Sequence, residues 1–257
     1  MYTAKERKAY YNEAYHTTYS GYVASDGTPR SSTEVAIECA RIFHEFFSPS
    51  SMLGCGCSTG LLLHGMINID NNIKVAGFDI SEFVVNHVYP DIRDKVIVWD
   101  ISKDFPYQDE EFDLVSCLDV LEHLNNYEEI CTAVENICRV SNKWIIVRTP
   151  LVNFTITGDK EINDWLETLN VLPHLARITL SEISKEIVQL SPDNEALEHP
   201  NEHPRKFWIA LFNAYGYYEE QLTEEIYHMP NPLHINSFNT LVFRKSNGRI
   251  DESTVRS

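Results

Sequence analysis

Basic residues are scarce in this chain. Lysine and arginine number 21 against 38 aspartates and glutamates, leaving a formal charge of −17. A surface of that sign repels phosphate backbones, and no Lys/Arg run supplies a local exception, so nucleic acid is not an expected partner. Long apolar runs are missing too. No stretch approaches the roughly 20 residues of a membrane span, and the charged start MYTAKERKAYY has no signal-peptide core. None of the six cysteines (Cys39, Cys55, Cys57, Cys117, Cys131 and Cys138) belongs to a CxxC pair. They read as reduced, buried residues of a cytoplasmic protein. The Cys55-Gly56-Cys57 spacing fits a turn better than metal ligation. No internal repeat is present.

What is present is a hydrophobic fraction of 43% over 257 residues, enough for a real core. The expected size is one large α/β domain with an added subdomain.

The chain is organised around SMLGCGCSTG, residues 51–60. A short apolar strand, Ser51–Cys55, enters a glycine-punctuated turn, and a helix-like run, Leu61–Ile69, follows. Glycine is needed where backbone turns sharply and lies close to a ligand. The alternation continues with strands predicted over Lys74–Asp79, Lys95–Trp99, Phe112–Leu118 and Lys143–Arg148, and helices over Ser81–Tyr89 and Tyr127–Val140. Such alternation predicts a mostly parallel sheet covered on both faces. Upstream, Val35, Cys39, Ile42, Phe43, Phe46 and Phe47 fall at helical spacing after Ser31-Ser32-Thr33, and Pro49 ends the run.

Residues 151–203 break the rhythm. Two amphipathic helices, Asp159–Leu172 and Thr179–Leu190, and a polar loop, Ser191–His203, form a helical insertion expected to cap the fold or make a homodimer contact. A helix over Pro204–Ala214, strands over Tyr217–His228 and Asn236–Phe243, and a disordered tail over 246–257 complete the reading. The N-terminal segment, residues 1–32, carries Tyr10, Tyr11, Tyr15 and Tyr19. Its aromatic side either packs on the domain as a helix or covers a ligand as a lid.

Four chemical signals fall in order. The first is the glycine turn. Asp79, ending the second strand in VAGFDIS, can accept both hydroxyls of a ribose. Asp100, ending the third in VIVWDIS, can accept from an adenine amino group, with the Ile101 amide nearby. The string FDLVSCLDVLEHL, residues 112–124, delivers Asp119, Glu122 and His123 to the carboxyl edge of the sheet, where open α/β sheets bind ligands. A dehydrogenase would want GxGxxG; Gly54, Gly56 and Gly60 give a spacing one residue too long.

On these residues the chain resembles the class I S-adenosylmethionine-dependent methyltransferases of the small-molecule type. The family pattern VLDxGCGxG lies without gaps over residues 52–60, with Gly56 and Gly60 in register. Its acid falls on Gly54 and its middle glycine on Ser58. The strings FPYQDEEFDLV, DVLEHL and HPRKFWIALFNAYGY also match; the insertion does not. The resemblance implies a three-layer α/β sandwich on a seven-stranded sheet, order 3-2-1-4-5-7-6, with the last strand antiparallel. It implies S-adenosyl-L-methionine held by Gly54, Cys55, Gly56, Gly60, Asp79, Ile80, Asp100, Ile101 and Leu118. It also implies methyl transfer to a small-molecule acceptor, expected to be a hydroxyl of a sugar, a phenol or a natural-product intermediate. Transfer to a hydroxyl needs a base, and His123 and His203 are the candidates. A catalytically inactive nucleoside-binding subunit is the other reading.

Asp119-x-x-Glu122-His123 carries one further possibility. If a helix begins at Asp119, residues three and four apart share a face. Asp119, Glu122 and His123, joined by His203, could then hold a divalent cation that acidifies an acceptor hydroxyl.

Overall fold

A computed structural model describes residues 4–151, 203–220 and 239–246. The body is a seven-stranded sheet in the order β3-β2-β1-β4-β5-β7-β6. Its strands are β1 (Ser51–Cys55), β2 (Lys74–Asp79), β3 (Val96–Val98), β4 (Phe112–Leu118), β5 (Ser141–Arg148), β6 (Tyr217–Glu219) and β7 (Thr240–Lys245). β1 to β5 pair parallel, and β7 runs antiparallel to both β5 and β6. This is the order and the sense that the resemblance implies.

Alternate residues of each strand feed opposite faces. Leu53, Val115 and Ile145 join the core under α5 (Tyr127–Val140) and α6 (Arg205–Asn213). Their neighbours Met52, Leu114 and Ile146 join the core under α2 (Thr33–Phe47) and α3 (Leu61–Ile69). Both faces are therefore apolar, and β1 is buried along its whole length. That is why these strands read as continuous apolar runs.

The helix starts follow their caps. Ser32 accepts from Val35 N, Ser81 from Val84 N and Asn126 from Glu129 N, each leaving one fewer orphan N–H. α4 is only Glu82–Asn86, shorter than predicted, because His87 leaves the helix and a 3-10 turn, Pro90–Lys95, follows. The predicted strand at 95–99 contracts to Val96–Val98 for the same reason. β5 begins earlier than predicted, since Ser141 is at once the extended cap of α5 and the first strand residue. His64 accounts for how α2, α3 and the 3-10 turn lock together. Its Nε2 is 3.0 Å from Thr33 Oγ1, its Nδ1 is 2.8 Å from Asp91, and its ring stacks on Tyr89 at 4.1 Å.

The N-terminal segment is not one helix. α1 (Ala4–Tyr10) ends, and a π-helical turn, Tyr15–Tyr19, follows. The interior of the predicted insertion, the predicted strand residues 221–228 and 236–238, and the tail beyond 246 lie outside the described residues. Among the described residues no helix is long and apolar enough to cross a membrane, and all six cysteines are free.

Gly65 sits where α2 and α3 pack closely. A Cβ there would stand 2.0 Å from the Ala36 carbonyl oxygen and 2.7 Å from Ala40 Cβ. Both obstacles belong to a neighbouring helix, so relief requires the helices to part. Gly65→Ala is expected to destabilise the fold by about 2–3 kcal/mol despite the better helix propensity of alanine. Urea denaturation checks this; an unchanged or raised midpoint would contradict the close crossing.

Candidate active site

The site begins where β1 ends. Gly56 has φ +63, and a Cβ on it would meet Val120 Cγ2 at 2.4 Å. Only glycine fits that turn against the Val120 side chain. Ser58 also has positive φ, at +51, which costs a side-chain residue about 1 kcal/mol. What holds it there is Asp79: Ser58 N donates to the Asp79 carboxylate at 2.9 Å, and Ser81 N donates to its other oxygen at 2.9 Å. Burial raises the Asp79 pKa, and these backbone donors oppose the rise. Gly60, by contrast, caps α3 at φ +77 with its missing Cβ facing Ile92 Cδ1 at 2.2 Å. Its role here is to seat the helix, and it does not line the cavity.

Asp100 ends β3's extension. Its Oδ1 accepts from Ser102 N at 2.9 Å and from Ser102 Oγ at 2.8 Å. A cation absent from the sequence expectations stands beside it. Arg7 of α1 is only 5% exposed, pairs with Glu129, and has Nη2 3.7 Å from Asp100 Oδ1. Ser81 Oγ donates to the Tyr11 carbonyl. The N-terminal segment is thus fastened to the ends of β2 and β3. In the charged string AKERKAY nothing distinguishes Arg7 from its exposed neighbours, so the sequence carried no usable signal.

The end of β4 lacks the helix on which the expected metal set depends. No helix begins at Asp119: its φ is +55, and only a 3-10 turn, Leu121–His123, follows. The three- and four-residue spacing therefore does not put these side chains on one face. The Asp119 carboxylate instead accepts from Arg148 Nε at 2.9 Å to each oxygen, with Arg148 Nη2 completing the fork. His203 is further removed. Fully buried, it stacks on Phe207 at 3.9 Å and meets Trp208 edge-on at 5.7 Å. Neither of its ring nitrogens has a hydrogen-bond partner, and burial pushes its pKa down to about 3. His203 is therefore placed as a neutral packing residue and does not line the cavity, unlike the base or ligand that the sequence suggests. Among the described residues no group of three or more His, Cys, Asp and Glu could hold a metal ion.

Glu122 and His123 remain at the site. Glu122 is 1% exposed, its Oε2 has no hydrogen-bond partner, and its Oε1 lies 3.9 Å from His123 Nε2. Burial pushes its pKa up to about 8. The His123 ring meets Tyr11 edge-on at 5.7 Å.

A cavity of about 670 Å³ joins these parts. Its walls include Gly54, Cys55, Gly56, Asp79, Ile80, Asp100, Ile101 and Leu118, every residue expected to bind a cofactor except Gly60. Trp99 also lines it, with Nε1 buried and unpartnered. Phe105 packs in the core instead. From the N-terminal segment the cavity takes Tyr11, Tyr15 and Tyr19, and also His16 and Tyr22, which the sequence reading passed over. Tyr10 and Arg30 lie outside it.

Comparison with known proteins places this geometry. A family model described as a methyltransferase domain matches residues 32–222. A search of curated proteins finds no match. Among solved structures, magnesium protoporphyrin IX methyltransferase (ChlM) from Synechocystis PCC 6803, with bound SAH, superposes with TM-score 0.56 at 12% identity. The match covers 95% of this chain and 100% of that one. The [4+2]-cyclase SpnF gives 0.55 at 16% identity, covering 95% and 96%. The PH0226 protein from Pyrococcus horikoshii OT3 gives 0.52 at 15%, covering 91% and 99%. At such identities the likeness is one of fold, and a cyclase among the neighbours shows that the fold alone does not choose the reaction.

Glu122 makes the site pH-sensitive in a calculable direction. Its ordinary pKa of 4.5 is raised to about 8 on folding, so the native chain holds a proton that the unfolded chain releases. The stability this contributes is fully present below about pH 4.5 and is lost as pH rises through about 8. Glu122→Gln is expected to lose less stability than the parent between about pH 5 and 9, by on the order of 2 kcal/mol. Urea denaturation across that range checks it; parallel profiles would contradict it.

Proposed function

The chain belongs to the class I S-adenosylmethionine-dependent methyltransferases, and we propose that it methylates a hydroxyl group of a small molecule. The residues present fit the donor. The glycine turn at Gly56 and the Asp79 carboxylate supply a turn and an acid for an amino-acid and ribose moiety. Asp100, Ile101 and Trp99 supply an acid, an amide and an aromatic wall for a base, and Trp99 Nε1 is a buried donor awaiting an acceptor. Gly54 stands where the family pattern has an acid, so the amino end of the donor would rest on backbone groups of the turn. When bound, S-adenosylmethionine supplies a methyl group already activated on sulfur.

The chain's own part is then alignment and the handling of one proton. The observation that carries the hydroxyl reading is the Glu122–His123 pair. The Glu122 carboxyl and the His123 imidazole lie 3.9 Å apart on the wall of the same cavity, with burial holding Glu122 toward its protonated form. His123 faces the cavity at partial exposure, while Glu122 behind it is held in a dry environment. An acceptor hydroxyl must lose its proton as its oxygen bonds to the methyl carbon, and His123 is placed to receive it. The Tyr11 ring against His123 limits the directions in which the imidazole can turn. A catalytically inactive subunit would have no use for such a pair.

The test is transfer of tritiated methyl from S-adenosylmethionine to a panel of phenols, sugars and hydroxylated polyketides. At least one hydroxyl compound is expected to become labelled. On that compound His123→Ala is expected to lower kcat by about 100-fold or more while changing the donor Kd by less than about threefold. Full activity is expected to persist in EDTA. Labelling confined to amines, or unchanged turnover in the His123 variant, would overturn the proposal.

A further inference from the structure

Residues 4–30 line the cavity with six side chains: Arg7, Tyr11, Tyr15, His16, Tyr19 and Tyr22. Five of the six are aromatic, and the sixth, Arg7, is already engaged by Glu129 and Asp100. No aspartate, glutamate, asparagine or glutamine between residues 4 and 30 reaches the cavity.

The rings form a continuous row. It starts at His123, which meets Tyr11 at 5.7 Å. Tyr11 meets Tyr15 edge-on at 4.9 Å, and Tyr15 meets His16 at 5.1 Å and Tyr19 at 5.4 Å. His16 in turn stacks on Phe83 at 6.2 Å. The π-helical turn builds this row: Ser20 N bonds Tyr15 O across five residues, and side chains four apart remain on one side. Its outer end is open. Tyr19 is 69% exposed and Tyr22 50%, a large ring surface left to water at a cavity mouth.

The chemistry of this wall discriminates among acceptors. A sugar is held by planar polar side chains that fork onto adjacent hydroxyls, and the segment contributes none of them. An ammonium ion needs uncommitted, ionised carboxylates; Asp79 already accepts two backbone N–H groups, Asp100 accepts from Ser102, Asp119 is forked by Arg148, and burial holds Glu122 toward its protonated form. What rings at these spacings offer is a slot for another ring, stacked or edge-on, with phenol hydroxyls at its border. Tyr11's hydroxyl stays neutral, because burial raises its pKa. We infer that residues 11–22 are the acceptor-binding wall and that the acceptor is a planar aromatic compound carrying its hydroxyl toward His123. This inference rests on the donor reading given above.

The test uses the full chain saturated with S-adenosylhomocysteine, so that nothing reacts. 1-Naphthol, methyl β-glucoside and choline are the probes, with naphthol fluorescence and calorimetry as readouts. Saturable 1-naphthol binding is expected. Tyr15→Ala and Tyr19→Ala should each weaken it by about tenfold, whereas Tyr15→Phe and Tyr19→Phe should retain it. S-adenosylhomocysteine affinity should stay within about threefold in all four variants, which also certifies their folding. Preference for the glucoside or choline, absence of naphthol binding, or naphthol binding indifferent to the ring deletions would overturn the aromatic assignment with the donor site intact. Failure of S-adenosylhomocysteine itself to bind would overturn the donor reading instead, and this inference with it.

Discussion

Two backbone N–H groups converge on the buried Asp79 carboxylate, one from Ser58 and one from Ser81. The first belongs to the turn after β1, the second to the start of α4. A carboxylate without these donors would be costly to bury, and the turn without the carboxylate would have no reason to keep Ser58 in the left-handed region. This junction lies on the wall of the cavity at the carboxyl edge of the sheet.

The same junction reaches the N-terminal segment. Ser81 donates its N–H to Asp79, caps α4 with its hydroxyl oxygen, and donates that hydroxyl to the Tyr11 carbonyl. Tyr11 in turn sets its ring against His123. Arg7 makes a second fastening at Asp100 and Glu129. Asp79, the Glu122–His123 pair and the aromatic row are thus joined through a few short contacts.

The sheet was legible because both its faces are buried. Runs such as LVSCL and VAGF carry no charged residue, and the glycine turn after β1 fixes where the first crossover starts. Helix α5 was legible to the residue because Asn126 caps it and its apolar stripe keeps one period. The failures share a cause. Asp119, Glu122 and His123 have helical spacing in the string DVLEHL, but Arg148 from the next strand bonds Asp119 while its backbone is left-handed. His203 looked available in a polar loop; Phe207 and Trp208, one turn later, enclose it. Arg7 was invisible for the converse reason, a charged residue buried by partners far away in the chain. Long-range pairing decided each of these, and local pattern does not encode it.

Donor binding through the Asp79 junction is the central claim, and calorimetry with S-adenosylmethionine on the parent and on Asp79→Ala tests it most directly. The account predicts a single saturable site in the parent and at least about a tenfold weaker one in the variant. Absence of binding in the parent at millimolar ligand, or equal affinity in the two proteins, would contradict it.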